Sequence, residues 1–209
     1  NSKKIRDVIV GEKIELINHH AAQIDLRFSV ANPAVDAHDN IIGSINLMQA
    51  AVGTRVRKVI FASTGGAMYG FQHIFPTPES HPQNPLSPYA ISKLSVEKYL
   101  GFYQYVHGIE YVVLRYANVY GPRQDAHGEA GVVAIFTEKM LRGEKTVING
   151  DGKQTRDYVY VGDVAEANMR AIAYPKSDVF NVGVAIETDV NEIWTQVKKL
   201  TGYKAKMFH

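Results

Sequence analysis

The 209-residue sequence contains no cysteine, and it has a single tryptophan. Without cysteine, the described sequence has no disulfide framework and no zinc or redox site built on thiolates. No apolar run approaches the ~20 residues that a membrane-spanning helix needs. The first residues, 1–6, include three basic side chains but are not followed by the long apolar stretch of a signal peptide. We therefore expect a cytoplasmic protein that does not associate with membranes.

The sequence also lacks a strong charge of either sign. Its net charge is +2, and basic and acidic residues are interspersed along the chain. This balance provides neither the basic surface that nucleic-acid binding requires nor the polybasic cluster that binds a membrane surface. His19 and His20 are adjacent, so on a strand they point to opposite sides, and no nearby carboxylate completes a metal site. We expect neither a metal nor a nucleic acid as a partner.

Short runs rich in β-branched residues alternate with longer stretches of helical periodicity. This alternation is typical of an α/β fold with a mainly parallel, doubly wound sheet. Pro and Gly mark the helix ends, as at Asn32-Pro33, Ser87-Pro88 and Gly108. The predicted strands are residues 13–18, 59–62, 111–115, 146–148, 158–160 and 179–182. The predicted helices are residues 2–10, 32–51, 88–107, 132–141, 163–173 and 190–200.

A tyrosine and a lysine four residues apart, Tyr89 and Lys93, share one face of the predicted helix 88–107. A free tyrosine has a pKa near ~10, and a neighbouring ammonium favours the phenolate and lowers that pKa. Such a tyrosine can exchange a hydroxyl proton while a nicotinamide cofactor exchanges hydride. The spacing alone also fits a helix surface. The context favours chemistry, because the motif follows a strand ending in residues 62–70, where ligands bind in doubly wound sheets.

A series of motifs, in order along nearly the whole chain, resembles the NAD-dependent epimerase/dehydratase family of the extended short-chain dehydrogenase/reductase superfamily. The matching segments are residues 20–23, 40–43, 63–70, 87–93, 114–124, 128–133, 150–152, 156–159 and 180–183. The resemblance implies a Rossmann-type sheet with a smaller substrate-binding portion. Residues 1–120 would form the C-terminal part of the cofactor domain. Residues 121–209 would combine substrate-binding elements with a returning Rossmann strand and helix.

The resemblance also implies roles for individual residues. The catalytic set would be Thr64, Tyr89 and Lys93, with Ser63 replacing Thr64 if the extra glycine in this loop shifts the register. The cofactor would contact Ala21, Ala22, Gln23, Asn40, Ser63, Tyr89, Lys93 and Tyr116. The substrate would contact Thr64, Asn118, Val132, Val133 and Arg156, whose planar guanidinium matches phosphate oxygens. The alternative to phosphate binding by Arg156 is a local ion pair with Asp157.

The implied activity is that of an isomerase, a nucleotide-sugar epimerase. It would interconvert UDP-glucose and UDP-galactose through a 4-keto sugar, by reversible hydride transfer with bound NAD. Dehydratases of the family usually carry an acid pair after the active-site Thr, whereas Gly65 and Gly66 follow Thr64 here. Another nucleotide-sugar reductase, dehydratase or decarboxylase, and a catalytically inactive nucleotide-binding protein, remain as alternatives.

The family's glycine-rich phosphate loop and its C-terminal segment have no counterpart in the sequence. We therefore expect a fragment, or a chain lacking the first strand–helix units. The choice between NAD and NADP stays open, because the ribose-binding acid would also lie upstream. The helices at 32–51 and 88–107 predict a homodimer interface like that of relatives, with packing against the sheet as the alternative use of these helices.

Overall fold

The computed structural model describes residues 2–127 and 131–209, which form two compact units. The first unit contains the chain up to Tyr116 together with Ala165–Val182. The second unit contains Ala117–Val164 and Gly183–His209. The chain thus leaves the first unit, builds most of the second and returns to the first. The sequence-based division at residue 120 stays a prediction about functional domains.

A four-stranded parallel sheet forms the centre of the first unit. Its order is β1-β2-β3-β7, where the strands are β1 (Leu16–His19), β2 (Lys58–Thr64), β3 (Glu110–Tyr116) and β7 (Asp178–Val182). Since all four strands run in one direction, their carboxyl ends meet at one edge. The sheet confirms the predicted α/β class.

Helices cover both faces of this sheet. One face buries Phe61 and Val113 against α1 (Ser2–Gly11), α4 (Gly43–Ala51) and α6 (Pro88–His107). The other face buries Ile60 and Val112 against α8 (Val161–Ala173), through Ala171. Successive strand residues point to opposite faces, so the continuous apolar run of β2 is buried on both sides, as in doubly wound sheets.

The single helix predicted at 32–51 is a helical path with a change of winding. After α2 (Leu26–Ala31), the helix α3 (Pro33–Ala37) passes through a π-helical turn, His38–Ile42, into α4. The junctions on both sides of the π-helical turn keep right-handed helical backbone angles, whereas the backbone at Asn32, between α2 and α3, leaves them. π-turns are rare and occur frequently at functional sites. Here the polar residues Asp36, Asn40 and Ser44 are buried at successive four-residue intervals.

The short helix α5 (Gly65–Met68) follows β2 directly, and a long loop then leads to α6. The Ser87 hydroxyl accepts a hydrogen bond from the backbone N–H of Ala90, and Pro88 occupies the first turn. Gly108 ends the helix with φ of 69°, a left-handed conformation that favours glycine. These caps confirm the predicted limits of α6.

The second unit has its own core, in which Phe136 and Met140 of α7 (Val132–Leu141) pack with Trp194 of α9 (Val190–Thr201). β4 (Asn118–Tyr120) pairs in parallel with β6 (Tyr158–Tyr160), and β5 (Thr155–Arg156) pairs antiparallel with β8 (Thr188–Asp189). The strand predicted at 146–148 is wrong. Residues 146–148 form other hydrogen bonds instead of a strand ladder. Trp194 Nε1 donates to Thr146 Oγ1, and Ile148 N donates to the carbonyl of Phe208.

Within the described residues, no helix combines the length and apolar character needed to cross a membrane. The same part of the chain holds no group of three or more His, Asp or Glu side chains arranged to bind a metal ion.

Candidate active site

Thr64 is the last residue of β2, at the edge where the parallel strands end. It lies opposite Tyr116, the last residue of β3, in the strand register. Gly65 follows, and a Cβ atom there would lie 3.1 Å from the carbonyl oxygen of Arg115. A contact that short disfavours any larger residue, so the backbone after Thr64 lies close against β3. Two predicted site residues, Thr64 and Tyr116, therefore lie at the same edge.

Tyr89 and Lys93 lie in the first two turns of α6. The Lys93 side chain is buried, and its Nζ donates to the carbonyl oxygen of Ala62 at 2.9 Å. The same Nζ lies 4.8 Å from the centroid of the Phe61 ring and 5.8 Å from that of the Tyr89 ring. The lysine and tyrosine predicted to act together are thus close to each other and to the carboxyl end of β2.

Burial dominates the protonation of this pair. It lowers the pKa of Lys93 to about 8, although the Asp36 carboxylate acts in the opposite direction. Burial, followed by the charge of Asp36, raises the pKa of Tyr89 to about 12. The lowered pKa expected for Tyr89 from its neighbouring ammonium is not found in this structure, because desolvation disfavours the phenolate and the Asp36 carboxylate adds to that effect.

Ser63 and Thr64 are used differently. The Ser63 hydroxyl donates to Glu97 Oε1 at 2.5 Å, inside the protein. Glu97 in turn pairs with the buried Arg115. Neighbouring strand residues point to opposite faces, so Thr64 faces away from this ion pair. The hydroxyl of Ser63 is thus engaged in a structural network, which favours Thr64 over Ser63 as the reacting hydroxyl.

The segment after β1 brings the predicted residues Ala21, Ala22 and Gln23 to the same edge of the sheet. Ala21 is exposed and Ala22 is half-buried. Asn40 is buried and fixes the backbone here, since its Oδ1 accepts from Gln23 N at 2.8 Å and its Nδ2 donates to Gln23 O at 3.0 Å. A second Nδ2 hydrogen goes to Asp36 Oδ1. Both amide hydrogens of Asn40 are therefore used within the protein, where Asn40 holds the backbone of Gln23.

Two residues at the end of β1 and in α3 were missed by the sequence analysis. His19 is buried, and its Nε2 lies 2.8 Å from Ser44 Oγ. Burial, followed by Lys93, lowers the pKa of His19 to about 4. Asp36 is fully buried beneath the Gln23 segment. The four-residue spacing of Asp36, Asn40 and Ser44 is the feature of the sequence that could have indicated a shared polar face on this helix.

Tyr116 belongs to a small polar group of the first unit. Its hydroxyl accepts a hydrogen bond from Asn168 Nδ2 at 2.8 Å. His20 Nε2 lies 3.1 Å from Asn168 Oδ1, and its ring centroid is 5.9 Å from that of Tyr116. Burial raises the pKa of Tyr116, and the hydrogen bond from Asn168 opposes this shift. The tyrosine is therefore held in place as a neutral phenol.

The other predicted substrate-binding residues lie in the second unit. Asn118 is exposed at the start of β4, and Arg156 is exposed in β5, where its Nη1 donates to the carbonyl of Thr155. Val132 and Val133 begin α7 and are half-buried. The rest of their motif, residues 128–130, lies outside the described residues.

The proposed ion pair between Arg156 and Asp157 has a competitor in the structure. The Asp157 carboxylate accepts from the backbone N–H groups of Val184 and Ala185, at 3.0 and 2.9 Å. This arrangement requires a residue without a side chain at position 183, because a Cβ atom on Gly183 would lie 2.3 Å from Asp157 Oδ2. Asp157 thus fixes the turn after β7, while Arg156 is exposed and its Nη1 donates to the carbonyl of Thr155.

The residues present fit the nicotinamide end of a dinucleotide. A lysine ammonium has three hydrogens to donate, and the buried Lys93 is held at the carboxyl ends of β1 and β2, where doubly wound sheets bind ligands. Ala21, Ala22 and Gly65 place no bulky side chain at that edge, and Ala21 is exposed.

Comparisons with known proteins agree with this geometry. The model of the NAD dependent epimerase/dehydratase family matches residues 1–183. A putative UDP-glucose 4-epimerase of Methanocaldococcus jannaschii is 47% identical over 210 residues, which cover 98% of this chain and 68% of that protein. The UDP-glucose 4-epimerase of Mycolicibacterium smegmatis is 47% identical over 191 residues, covering 91% of this chain and 61% of that protein.

Among solved structures, the UDP-glucose 4-epimerase of Thermotoga maritima with UDP-glucose has a TM-score of 0.97 and 48% identity. That match covers 100% of this chain and 68% of the other chain. The chain thus spans between 61% and 68% of the length of these relatives. Because the family model covers most of the chain and the relatives exceed 45% identity, the chain belongs to the NAD-dependent epimerase/dehydratase family.

Proposed function

We propose that this chain carries the catalytic centre of an NAD-dependent UDP-hexose 4-epimerase, an isomerase that interconverts UDP-glucose and UDP-galactose. The observation that carries the proposal is the placement of Tyr89 and Lys93 beside the end of β2, with the Lys93 Nζ 5.8 Å from the Tyr89 ring. The relatives named UDP-glucose 4-epimerase support the same activity.

In the proposed reaction, Tyr89 exchanges the proton of the sugar 4-hydroxyl, and Thr64 donates a hydrogen bond to the reacting oxygen. When bound, NAD supplies the reversible transfer of hydride to and from the sugar carbon. Lys93 supplies positive charge beside Tyr89 and donates to the nicotinamide ribose. The pKa of Tyr89, raised to about 12 by burial and Asp36, means that the phenolate needs positive charge close by, and Lys93 is positioned to provide part of it.

The remaining binding roles are also proposals. Ala21, Ala22 and Gln23 line the cofactor at the end of β1, with Asn40 holding the segment and Tyr116 closing the nicotinamide end. Ser63 does not line this surface directly but supports it through its hydrogen bond to the buried Glu97. In the second unit, Asn118, Val132 and Val133 contact the nucleotide sugar, and Arg156 binds its diphosphate. The exposure of Arg156 supports that role, because its guanidinium is accessible to an anion.

Dehydration needs an acid to protonate a leaving hydroxyl and a base to remove a neighbouring C–H proton. The two residues after Thr64 are Gly65 and Gly66, which have no ionisable side chain. Gly65 also lies too close to the backbone of β3 to be replaced easily by a larger residue. Epimerisation at C4 requires neither group, and it is therefore the favoured reaction.

The proposal includes a homodimer formed through α6 and the helical path before it. Large apolar side chains on these helices are half exposed, among them Ile91 at 50%, Phe102 at 48% and Val106 at 52% on α6, and Val35 at 46% on α3. Exposed apolar clusters of this kind mark protein–protein interfaces. Sedimentation of the Phe102→Glu variant tests the dimer, which should dissociate. A cytoplasmic location belongs to the proposal too, since turnover requires the nucleotide sugar and NAD in one compartment.

The deciding experiment is to incubate the full-length protein with UDP-galactose and follow the formation of UDP-glucose without added NAD. Conversion is the expected result, since the cofactor is regenerated in every cycle and has no need to leave. Conversion only after NAD is added would support the reaction and contradict tight retention. No conversion under either condition would refute the proposed activity.

A further inference from the structure

Asp36 is a fully buried carboxylate that no proposed step uses, with 0% of its surface exposed. A buried charge is expensive unless hydrogen bonds satisfy it. Its Oδ2 accepts from Ser92 Oγ at 2.6 Å, and its Oδ1 accepts from Asn40 Nδ2 at 3.0 Å and Gln23 Nε2 at 3.2 Å. Three donors therefore converge on this one carboxylate.

The donors come from two different parts of the candidate site. Ser92 lies on α6, one residue before Lys93 and three after Tyr89. Gln23 belongs to the segment after β1, whose backbone is also held by Asn40. The carboxylate of Asp36 thus links the catalytic helix to the segment expected to line the cofactor.

We propose that Asp36 is a positioning residue for the reaction, which holds the α6 turn of Tyr89 and Lys93 in register with the 21–23 backbone and places a fixed negative charge beneath both. The inference rests on the proposed function for its kinetic consequences only. The hydrogen bonds and the burial of Asp36 exist independently of the substrate.

The fixed charge has a direct effect on both catalytic groups. Asp36 raises the pKa of Tyr89, and it raises the pKa of Lys93 against the larger effect of burial. Lys93, on α6, is the cation facing Tyr89. His19, at the end of β1, faces Lys93 and has a pKa lowered to about 4, so it is neutral near pH 7. Asp36 therefore favours the charged form of Lys93. It also favours the protonated form of Tyr89, until a second positive charge, such as that of an oxidised nicotinamide ring, lies beside the phenol.

The test uses the full chain and three variants. Asp36→Asn keeps the shape and one acceptor oxygen for Asn40 and Gln23, but removes the charge. Ser92→Ala removes the bond to α6 and leaves the charge in place. Ser95→Ala is the matched control on the same helix, because the Ser95 hydroxyl bonds only locally to the carbonyl of Ile91.

The first readout needs no substrate. The Lys93 ammonium is titrated by NMR of protein labelled with ¹³C at lysine Cε, and its signal is assigned by its loss in Lys93→Arg. The pKa of Lys93 is about 8 in the parent protein, and in Asp36→Asn Lys93 should titrate about one pH unit lower, the effect expected for losing a nearby negative charge. Ser92→Ala and Ser95→Ala should titrate like the parent protein. An unchanged Lys93 titration in folded Asp36→Asn overturns the electrostatic part of the proposal.

The second readout is the pH dependence of turnover. In Asp36→Asn, kcat should fall about tenfold or more, with the KM for the UDP-hexose nearly unchanged. Both limbs of the pH–rate profile should move to lower pH, because loss of the anion lowers the pKa of Tyr89 and of Lys93 alike. Ser92→Ala should lower kcat several-fold with no shift of the profile, while Ser95→Ala should be neutral.

The experiment still decides the proposal if one variant does not fold or one readout gives no signal. If Asp36→Asn does not fold, equal kcat values for Ser92→Ala and Ser95→Ala overturn the positioning role. A raised KM with unchanged kcat in Asp36→Asn also overturns it, since that result indicates substrate binding instead. If the parent protein does not turn over any UDP-hexose, the proposed function fails, and the NMR titration still decides whether the charge of Asp36 acts on Lys93.

Discussion

Arg115 and Glu97 form a two-point ion pair inside the first unit, with Nε–Oε1 at 3.1 Å and Nη2–Oε2 at 2.7 Å. The pair joins β3 to α6, the helix that carries Tyr89 and Lys93. The remaining Nη1 donates to the hydroxyl of Tyr69, which follows α5. Because both charges are buried, neither can regain full hydration if its partner is lost. The pair therefore ties together the end of β3, the helix α6 and the segment that follows α5.

We predict that Glu97→Gln destabilises the protein by about 3–5 kcal/mol, the usual effect of leaving one buried charge without its partner. Chemical denaturation measures the change in the free energy of unfolding. The matched control is Glu166→Gln, which breaks the exposed pair between Glu166 and Arg170 and should cost only about 0.3–0.5 kcal/mol. Equal losses in the two variants would contradict the buried role of Glu97.

The two hydroxyls at the end of β2 should separate stability from turnover. Thr64→Val should lower kcat by about 10²-fold, as expected for the loss of one hydrogen-bond donor to the reacting oxygen, with little loss of stability. Ser63→Ala should lower the thermal midpoint through Glu97 and leave more activity than Thr64→Val. The opposite pattern would make Ser63 the reacting hydroxyl.

Tyr89→Phe should reduce turnover by about 10²–10⁴-fold, the contribution of a positioned acid–base group. Its affinity for UDP, measured by calorimetry, should stay nearly unchanged, because the ring remains in place. Tyr99→Phe, which alters an exposed position of the same helix, is the control and should retain activity. Normal turnover in Tyr89→Phe would remove the proposed mechanism.

His19 should make stability depend on pH. Its pKa is lowered from 6.5 to about 4 in the folded state, so the unfolded chain binds the proton first as pH falls. The contribution of His19 to the free energy of unfolding is therefore fully present above about pH 6.5. It is lost as the pH falls toward 4, which lowers the free energy of unfolding by roughly 3 kcal/mol. His19→Gln should flatten this part of the stability profile, whereas His20→Gln should retain it. The denaturation midpoint measured at several pH values gives the comparison.

Arg156→Ala should weaken UDP binding by about 10–100-fold, which corresponds to losing a charge-assisted hydrogen bond of about 1.5–3 kcal/mol. NAD affinity should change little. Lys153→Ala removes another exposed cation from the same loop and should have a much smaller effect. An unchanged inhibition constant for UDP in Arg156→Ala would refute its phosphate-binding role.

Much of the first unit could be predicted because its signals are local. The β-branched runs of β2 and β3 are buried on both faces, and Ser87, Pro88 and Gly108 mark the ends of α6 by known capping chemistry. The strand predicted at 146–148 was wrong because its apolar pattern serves a different purpose. Ile148 fills a core against α7 and α9, and its backbone bonds to the C-terminal residues rather than to a strand.

The placement of the candidate catalytic residues followed from motif order, but their electrostatics did not. Spacing puts Lys93 near Tyr89, yet the sign of the Tyr89 shift depends on how much water burial removes and on Asp36, which arrives from another helix. In the sequence, the four-residue spacing of Asp36 and Asn40 indicates only a shared helix face. The importance of Asp36 arises from three donors on separate segments, Ser92, Asn40 and Gln23, that only the fold brings together.

The return of the chain at Ala165–Val182 has a consequence for how the protein is made. β3 is flanked by β2 and β7, and β7 is synthesised only after most of the second unit. Until then, β3 presents an unpaired edge to its surroundings, which invites pairing with other chains. Pairings between strands far apart in sequence also form slowly. The nascent chain should therefore pass through a stage that benefits from chaperone protection, ending when β7 docks along β3.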